Sequence, residues 1–272
     1  MSSLSVRPLG DHLRTWRQRR RMSQLDLALE AEISQKHLSF VESGRSVPSR
    51  EMVLNLAERL EVPLRERNLM LLSAGYAPVF PERSLDDPAM APARTAIDMV
   101  LKGHEPFPAL AIDRHWTLVA ANAALPPLLA GITDRALLDP PVNVLRLSLH
   151  PGGLAPRIAN LPEWRAHLLD RLRHQIEVTA DPVLSRLISE LMAYPAANET
   201  RQHSQPDDYA GLVVPLQLRT GETLLSFLST TTVFGTPIDV TLSELAVEAF
   251  FPADSATSDA LRDLAKAREN AT

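Results

Sequence analysis

Residues 23–45 read SQLDLALEAEISQKHLSFVESGR, and this stretch decides how the rest of the chain is read. Ser23 is an N-cap residue, and Leu25, Ala28 and Leu29 follow at the i, i+3, i+4 spacing of one helical face. Asp26, three residues after Ser23, can reach back to the cap amide, an imperfect capping box. Ser34 caps a second helix, with Ile33 before it and Leu38 at its fourth position forming a hydrophobic staple. Two short capped helices with a tight turn between them make a helix-turn-helix. The second helix buries Leu38 and Val41, so Gln35, Lys36, Ser39 and Ser43 point the other way. Gln and Lys are side chains that hydrogen-bond base edges in the major groove. The alternative is a helical bundle with a solvated polar face; caps, spacing and motif together favour DNA.

The flanking residues complete a five-helix, all-α domain over 1–75. Helix one runs from Pro8 to about Met22, with Leu9, Leu13 and Trp16 inside and Arg14, Arg17, Arg19, Arg20 and Arg21 crowding its end, where cations suit the helix dipole. Arg17 is a candidate phosphate contact; a solvated, dipole-satisfying role is the other reading. Ser49 caps helix four, which carries Val53, Leu56, Ala57 and Leu60, and helix five spans Leu64 to Ala74 before Gly75. Net charge is −5 over 272 residues. It is split unevenly: residues 1–75 hold 12 Lys/Arg against 9 Asp/Glu, and the remainder holds 16 against 24. A basic head on an acidic body suits DNA binding by the head alone.

Residues 9–75 resemble the Xre, phage-repressor-like helix-turn-helix family. The resemblance lies in Leu13, Arg14, Arg17, Met22-Ser23-Gln24, Ser34, Leu38, Glu42, Gly44, Arg45 and Pro48-Ser49. It implies that Gln24 and Arg45 hold phosphates while Gln35, Lys36 and Ser39 face bases. The sequence departs from the family at Glu32, where Gly is usual in the turn, and at Phe40, which can touch a thymine methyl or simply pack.

Residues 76–104 read as a proline-rich linker followed by a connecting helix, with Ile97, Val100 and Leu101 on one stripe before Gly103. A second domain is expected over 105–255, with a weak amphipathic tail helix over 256–272. In 108–125, Leu110 and Ile112, then Trp116, Leu118 and Ala120, alternate at period two around Asp113-Arg114, which predicts a hairpin. Asn122 ends the second strand and can cap the helix of Leu125, Leu128 and Leu129. Residues 142–178 read as mostly helical, with a break at Pro151-Gly152-Gly153, and another helix follows from Asp181 to Met192. Strands are expected at 211–219, 222–233 and within 240–251. Two strands, several helices and three strands make an α+β domain with an antiparallel sheet of about five strands. That order resembles the PAS fold. More specifically, residues 143–172, Asn122 and FFPAD (250–254) resemble the MmyB-like ligand-binding domain found behind Xre heads. The resemblance implies a small-molecule sensor with fatty acids as the ligand class.

The absence of cysteine rules out disulfides, thiolate catalysis and Cys-based zinc sites. No apolar run is long enough to span a membrane or act as a signal peptide, so a cytoplasmic protein is expected. The eight histidines lack zinc spacing, and there is no nucleophile elbow or phosphate loop. No enzyme, metal or resident cofactor is expected, apart from a bound fatty acid or other small apolar ligand.

A sensor pocket needs apolar walls and a few polar groups. Candidate walls are Trp116, Leu118, Leu125, Leu128, Leu145, Leu149, Trp164, Leu168, Leu225 and Phe227; ordinary core packing is the alternative for each. Candidate polar groups are Asn122, Arg146, His150 and Asn160. Arg146 and His150 share a helix face and can meet a carboxylate. Alternatively, Arg146 pairs with an acidic neighbour and His150 caps the break before Pro151. Two function classes follow. One is a one-component transcription regulator, a homodimer on double-stranded operator DNA with a small-molecule effector and no membrane partner. The other is a DNA-anchored interaction or dimerisation protein without a ligand. An enzyme fused to a DNA-binding head lacks the motifs it would need.

Overall fold

The structure, a computed structural model, describes residues 7–195, 213–235 and 237–270. The chain divides into two compact units. One takes residues 7–83 with short returns at 177–179 and 237–243, and the other takes the remainder.

The first unit carries five helices: α1 (Leu9–Arg19), α2 (Gln24–Glu30), α3 (Gln35–Glu42), α4 (Arg50–Arg59) and α5 (Leu64–Ser73). Capping chemistry sets their starts. Ser23 accepts from the Asp26 amide at 3.1 Å while Asp26 accepts from the Ser23 amide at 2.8 Å, closing the box. Ser34 and Ser49 cap α3 and α4 through the His37 and Met52 amides. Leu13, Trp16, Leu38, Val41, Leu56 and Leu60 meet in one core, and Ile33 packs against it as a staple should. Gly10 is where α1 meets α3: a Cβ there would stand 2.1 Å from the Glu42 carbonyl oxygen.

Two expectations change. Helix one stops at Arg19 rather than Met22, because Arg21 adopts a left-handed φ of 54° and turns the chain toward the Ser23 cap. In α2 the buried residues are Leu27 and Ala28, with Ala31 just past its end, whereas Leu25 and Leu29 are exposed. On a seven-residue helix two apolar stripes overlap, and the one facing α3 and α4 wins.

Glu32 in the turn has φ 56° and an exposed side chain. A left-handed residue with a Cβ is strained by about 1–2 kcal/mol, part of which glycine would return through its unfolded-state entropy. Glu32→Gly should therefore stabilise this unit by about 1 kcal/mol in thermal or urea unfolding; an unchanged or lower midpoint would contradict the strain.

The second unit is built on five antiparallel strands: β1 (Ala109–Ile112), β2 (Leu118–Ala121), β3 (Leu216–Thr220), β4 (Thr223–Val233) and β5 (Ala246–Pro252). Their order is β2-β1-β5-β4-β3, a PAS-like sheet. Its helices are α6 (Ala91–Gly103), α7 (Leu125–Leu128), α8 (Val144–Leu149), α9 (Leu161–Thr179), α10 (Pro182–Ala193) and α12 (Ser255–Glu269). One apolar cluster joins β1, β3, β4 and helices α7 to α10. The β1–β2 turn is tied by Asp113, whose carboxylate accepts from the His115 and Thr117 amides at 2.8 and 2.7 Å. Trp116 within it stands at φ 65°.

Three local readings are corrected here. Asn122 does not cap α7, whose N-cap is Ala124. Strand β3 begins at Leu216, since Pro215 cannot donate to the ladder, and positions 211–212 of the expected strand lie outside the described residues. Residues 240–243 form a helical turn, α11 (Val240–Ser243), with Asp239 accepting from the Thr241 amide, so β5 starts only at Ala246.

Candidate nucleic-acid interface and ligand pocket

Helix α3 presents a polar face opposite the core residues Leu38 and Val41. Ser34, Gln35, Lys36, Ser43 and Arg45 are exposed, and Ser39 and Phe40 are half-buried. Ser34 is the cap of α3, and the Ser43 hydroxyl donates to the Phe40 carbonyl at 3.2 Å. Phe40 sits between two cations, with Lys36 Nζ 5.7 Å and the Arg45 guanidinium 5.9 Å from its ring centre. This contact gathers both positive charges at the edge of the polar face.

Arg17 and Gln24 belong to a buried network. Arg17 donates to both oxygens of Glu42 (2.7 and 3.1 Å) and to the Met22 carbonyl at 2.9 Å. The Gln24 amide donates to Glu42 Oε2 at 2.7 Å. Burial alone would raise the Glu42 carboxyl. Hydrogen bonds from Arg17 and Gln24, with the charges of Arg17 and Arg14, outweigh it and hold the pKa below the ordinary range. The network locks the ends of α1, the start of α2 and the end of α3 to one another.

In the second unit a cavity of about 100 Å³ lies between the sheet and helices α7 to α9. Trp116, Leu118, Leu125, Leu128, Leu145, Trp164, Leu168 and Phe227 line it. Leu149 and Leu225 are instead packed within the core. The polar candidates lie elsewhere. Asn122 accepts from the Ala109 amide and donates to the Leu101 and Phe107 carbonyls, joining α6 to the sheet. Asn160 accepts from the Gln217 amide and donates to the Pro215 carbonyl, joining α9 to β3.

Arg146 forms a two-pronged pair with Glu190, both bonds 2.8 Å. Glu190 also accepts from the Tyr194 hydroxyl at 2.7 Å. Burial and the Glu190 bond push that hydroxyl up to about 12. His150 Nδ1 accepts from the Gly152 amide at 3.0 Å, which closes the break after α8. Arg146 and His150 thus take the structural alternative and do not line the cavity.

Among the described residues, the polar groups that do line it are Ser148, Arg171 and Glu248. The sequence reading passed over all three. Arg171 carried a signal: Trp164, Leu168 and Arg171 fall at i, i+4, i+7 on α9, so a residue on the wall stripe was polar. Arg171 donates to Glu248 at 2.6 and 3.2 Å and to Thr231 Oγ1 at 2.9 Å. The Thr231 hydroxyl donates onward to Glu248 at 2.9 Å, closing the ring. The Arg171 guanidinium also lies 4.9 Å from the centre of the Trp116 ring.

A helix-turn-helix head and a PAS-like domain around an apolar cavity define a class of ligand-responsive DNA-binding proteins. Comparison with known proteins agrees. Residues 8–70 match the helix-turn-helix domain family, and residues 93–264 match the family described as MmyB-like transcription regulator ligand binding domain. The second match covers more than half of the chain, which therefore belongs to the MmyB-like transcription regulators. A protein of Methanoculleus marisnigri, named as a candidate HTH-type transcriptional regulatory protein, is 36% identical over 125 residues. That alignment covers 43% of this chain and 39% of the relative. Among the described residues, no helix is long and apolar enough to cross a membrane and no group of side chains is suited to hold a metal ion.

Proposed function

We propose that this is a cytoplasmic one-component regulator that binds operator DNA as a homodimer and senses a small apolar molecule, a fatty acid or similar, in its PAS-like domain. The observation that carries the reading is the apolar cavity between the sheet and α7 to α9, in a chain whose other unit presents a polar α3 with Lys36 and Arg45 exposed beside it. At about 30 Å³ for each water-sized group, the cavity holds about three of them, room for part of an apolar chain.

On DNA, Gln35, Lys36 and Ser39 face bases, Arg45 faces a phosphate, and Phe40 offers its edge to a thymine methyl. Arg17 acts through Glu42, which fixes Gln24 at the start of α2. A homodimer sets its two α3 helices one helical turn of DNA apart, about 34 Å. Ligand binding then shifts operator affinity through a coupling of about 1–3 kcal/mol.

Replacing Gln35 or Lys36 by Ala should weaken specific binding by about 1–3 kcal/mol and relax the base choice at the position read. A selectivity profile unchanged in both variants would remove these residues from the reading face. For the second unit, denaturing extraction of the purified protein followed by mass spectrometry should release an apolar molecule in near-stoichiometric amount. An empty extract, joined to a failure of added apolar ligands to bind, would favour a body that only dimerises.

A further inference from the structure

We infer that Arg171 anchors the head of an acidic apolar ligand: an alkyl carboxylate lies in the cavity of the second unit with its charged end at the Arg171 guanidinium and its chain running toward Trp164 and Phe227. This rests on the ligand-sensing reading above and names the residue that orients the ligand.

The cavity has two unlike ends. Arg171 and Trp164 both line it from α9, and seven residues of helix set them about 10 Å apart along its axis. On β4, Thr231 pairs with Glu248 and Phe227 pairs with Pro252, and four residues of strand separate the two positions by about 13 Å. The Arg171–Glu248–Thr231 ring therefore marks one end, and Trp164 with Phe227 marks the other. At that second end the Trp164 indole N–H already donates to Ser148 Oγ at 3.1 Å, and this contact is neutral. Among the described residues that line the cavity, Arg171 is the one cation.

Arg171 also has donors to spare. A guanidinium carries five N–H groups. Two go to Glu248, at 2.6 and 3.2 Å, and a third goes to Thr231 at 2.9 Å. The Nε–H and one Nη1–H have no acceptor among the described residues. A carboxylate can therefore take a charge-assisted bond while Glu248 stays paired. Glu248, Thr231 and the face of Trp116, whose ring centre is 4.9 Å from the guanidinium, hold that group in place before the ligand arrives. The Arg171 side chain is 27% exposed against 5% for Glu248. The head thus sits where the cavity meets solvent and keeps part of its hydration, while the chain leaves water along the apolar wall.

The test compares hexanoate with methyl hexanoate, which share a chain and differ in head charge, on the full-length protein at about pH 8, where a carboxylic acid is ionised. Calorimetry reports binding. Arg171→Met combined with Glu248→Gln removes the cation without leaving a buried carboxylate unpaired. This double variant should weaken hexanoate binding at least about tenfold, the scale of one hydrogen bond to a charged group, and change the ester by less than about threefold. Glu248→Gln alone keeps the cation and removes the competing negative charge, so hexanoate affinity should hold or rise. A fall in hexanoate affinity in Glu248→Gln overturns the inference. So does a double variant in which acid and ester lose equally, or in which the acid loses nothing. Each of those results leaves a ligand-binding domain in place. Failure of both compounds to bind the wild-type protein overturns the inference together with the reading it rests on.

Discussion

Glu42→Ala is expected to destabilise the helix-turn-helix unit by about 3–5 kcal/mol, the range for breaking a buried ion pair from one side. The Glu42 side chain is 1% exposed and the Arg17 side chain 13%. Removing the carboxylate strands the guanidinium between α1 and α3 and releases Gln24 from its partner. DNA binding should fall with stability, because the same network holds the start of α2 against the end of α3. The pH dependence has a definite sign. The folded pKa of Glu42 lies below its ordinary value of 4.5. Its stabilisation is therefore fully present above that value and is lost as pH falls through the lower folded pKa. Urea unfolding of the wild type should show stability dropping in that acid window, with a shallower drop in Glu42→Gln. A cost below about 1 kcal/mol for Glu42→Ala, the range of an exposed pair, would contradict the account.

Phe227→Ala is expected to cost about 3–5 kcal/mol in the second unit, as large-to-small changes in a packed core do. Phe227 is 1% exposed, lies edge-on to Phe250 with ring centres 6.2 Å apart, and forms part of the cavity wall. Truncation joins the volume of a lost ring to a space that already exists, so the surroundings have little to collapse onto. An apolar ligand that fills the enlarged space should return part of the loss, seen as a rise in melting temperature that grows with ligand concentration. A loss under about 1 kcal/mol would mean that neighbouring side chains close the gap and that no persistent cavity exists there.

Local signals in the sequence carried much of the fold. Ser23, Ser34 and Ser49 mark three helix starts by side-chain chemistry alone, and the structure uses all three. Period-two alternation around Asp113 anticipated the β1–β2 hairpin, and the order of strands and helices anticipated a five-stranded antiparallel sheet. Orientation was harder to read. Leu25 and Leu29 have the spacing of a core stripe yet face outward, because a seven-residue helix has two overlapping stripes and only its partners choose between them.

The pocket's polar chemistry was the least legible part. Apolar walls such as Trp164 and Leu168 could be anticipated because the residues that suit a core also suit an apolar cavity. Arg146 and Arg171 are both arginines on helices, and although Arg171 shares the stripe of Trp164 and Leu168, nothing local shows what either guanidinium meets. What separates them is a partner far along the chain: Glu190 lies 44 residues from Arg146, and Glu248 lies 77 residues from Arg171. Asn122 and Asn160 mislead for a related reason. A buried amide that joins a helix to a strand has the same polar, element-end signature as one that meets a ligand.

The most direct measurement is selection of bound sequences from random double-stranded DNA by the full-length protein, followed by footprinting of the selected site. The account predicts a near-palindrome whose half-sites are centred about one helical turn apart, with enrichment lost when Gln35 and Lys36 are both Ala. Recovery of no preferred sequence, or of a site read equally well by that double variant, would contradict it.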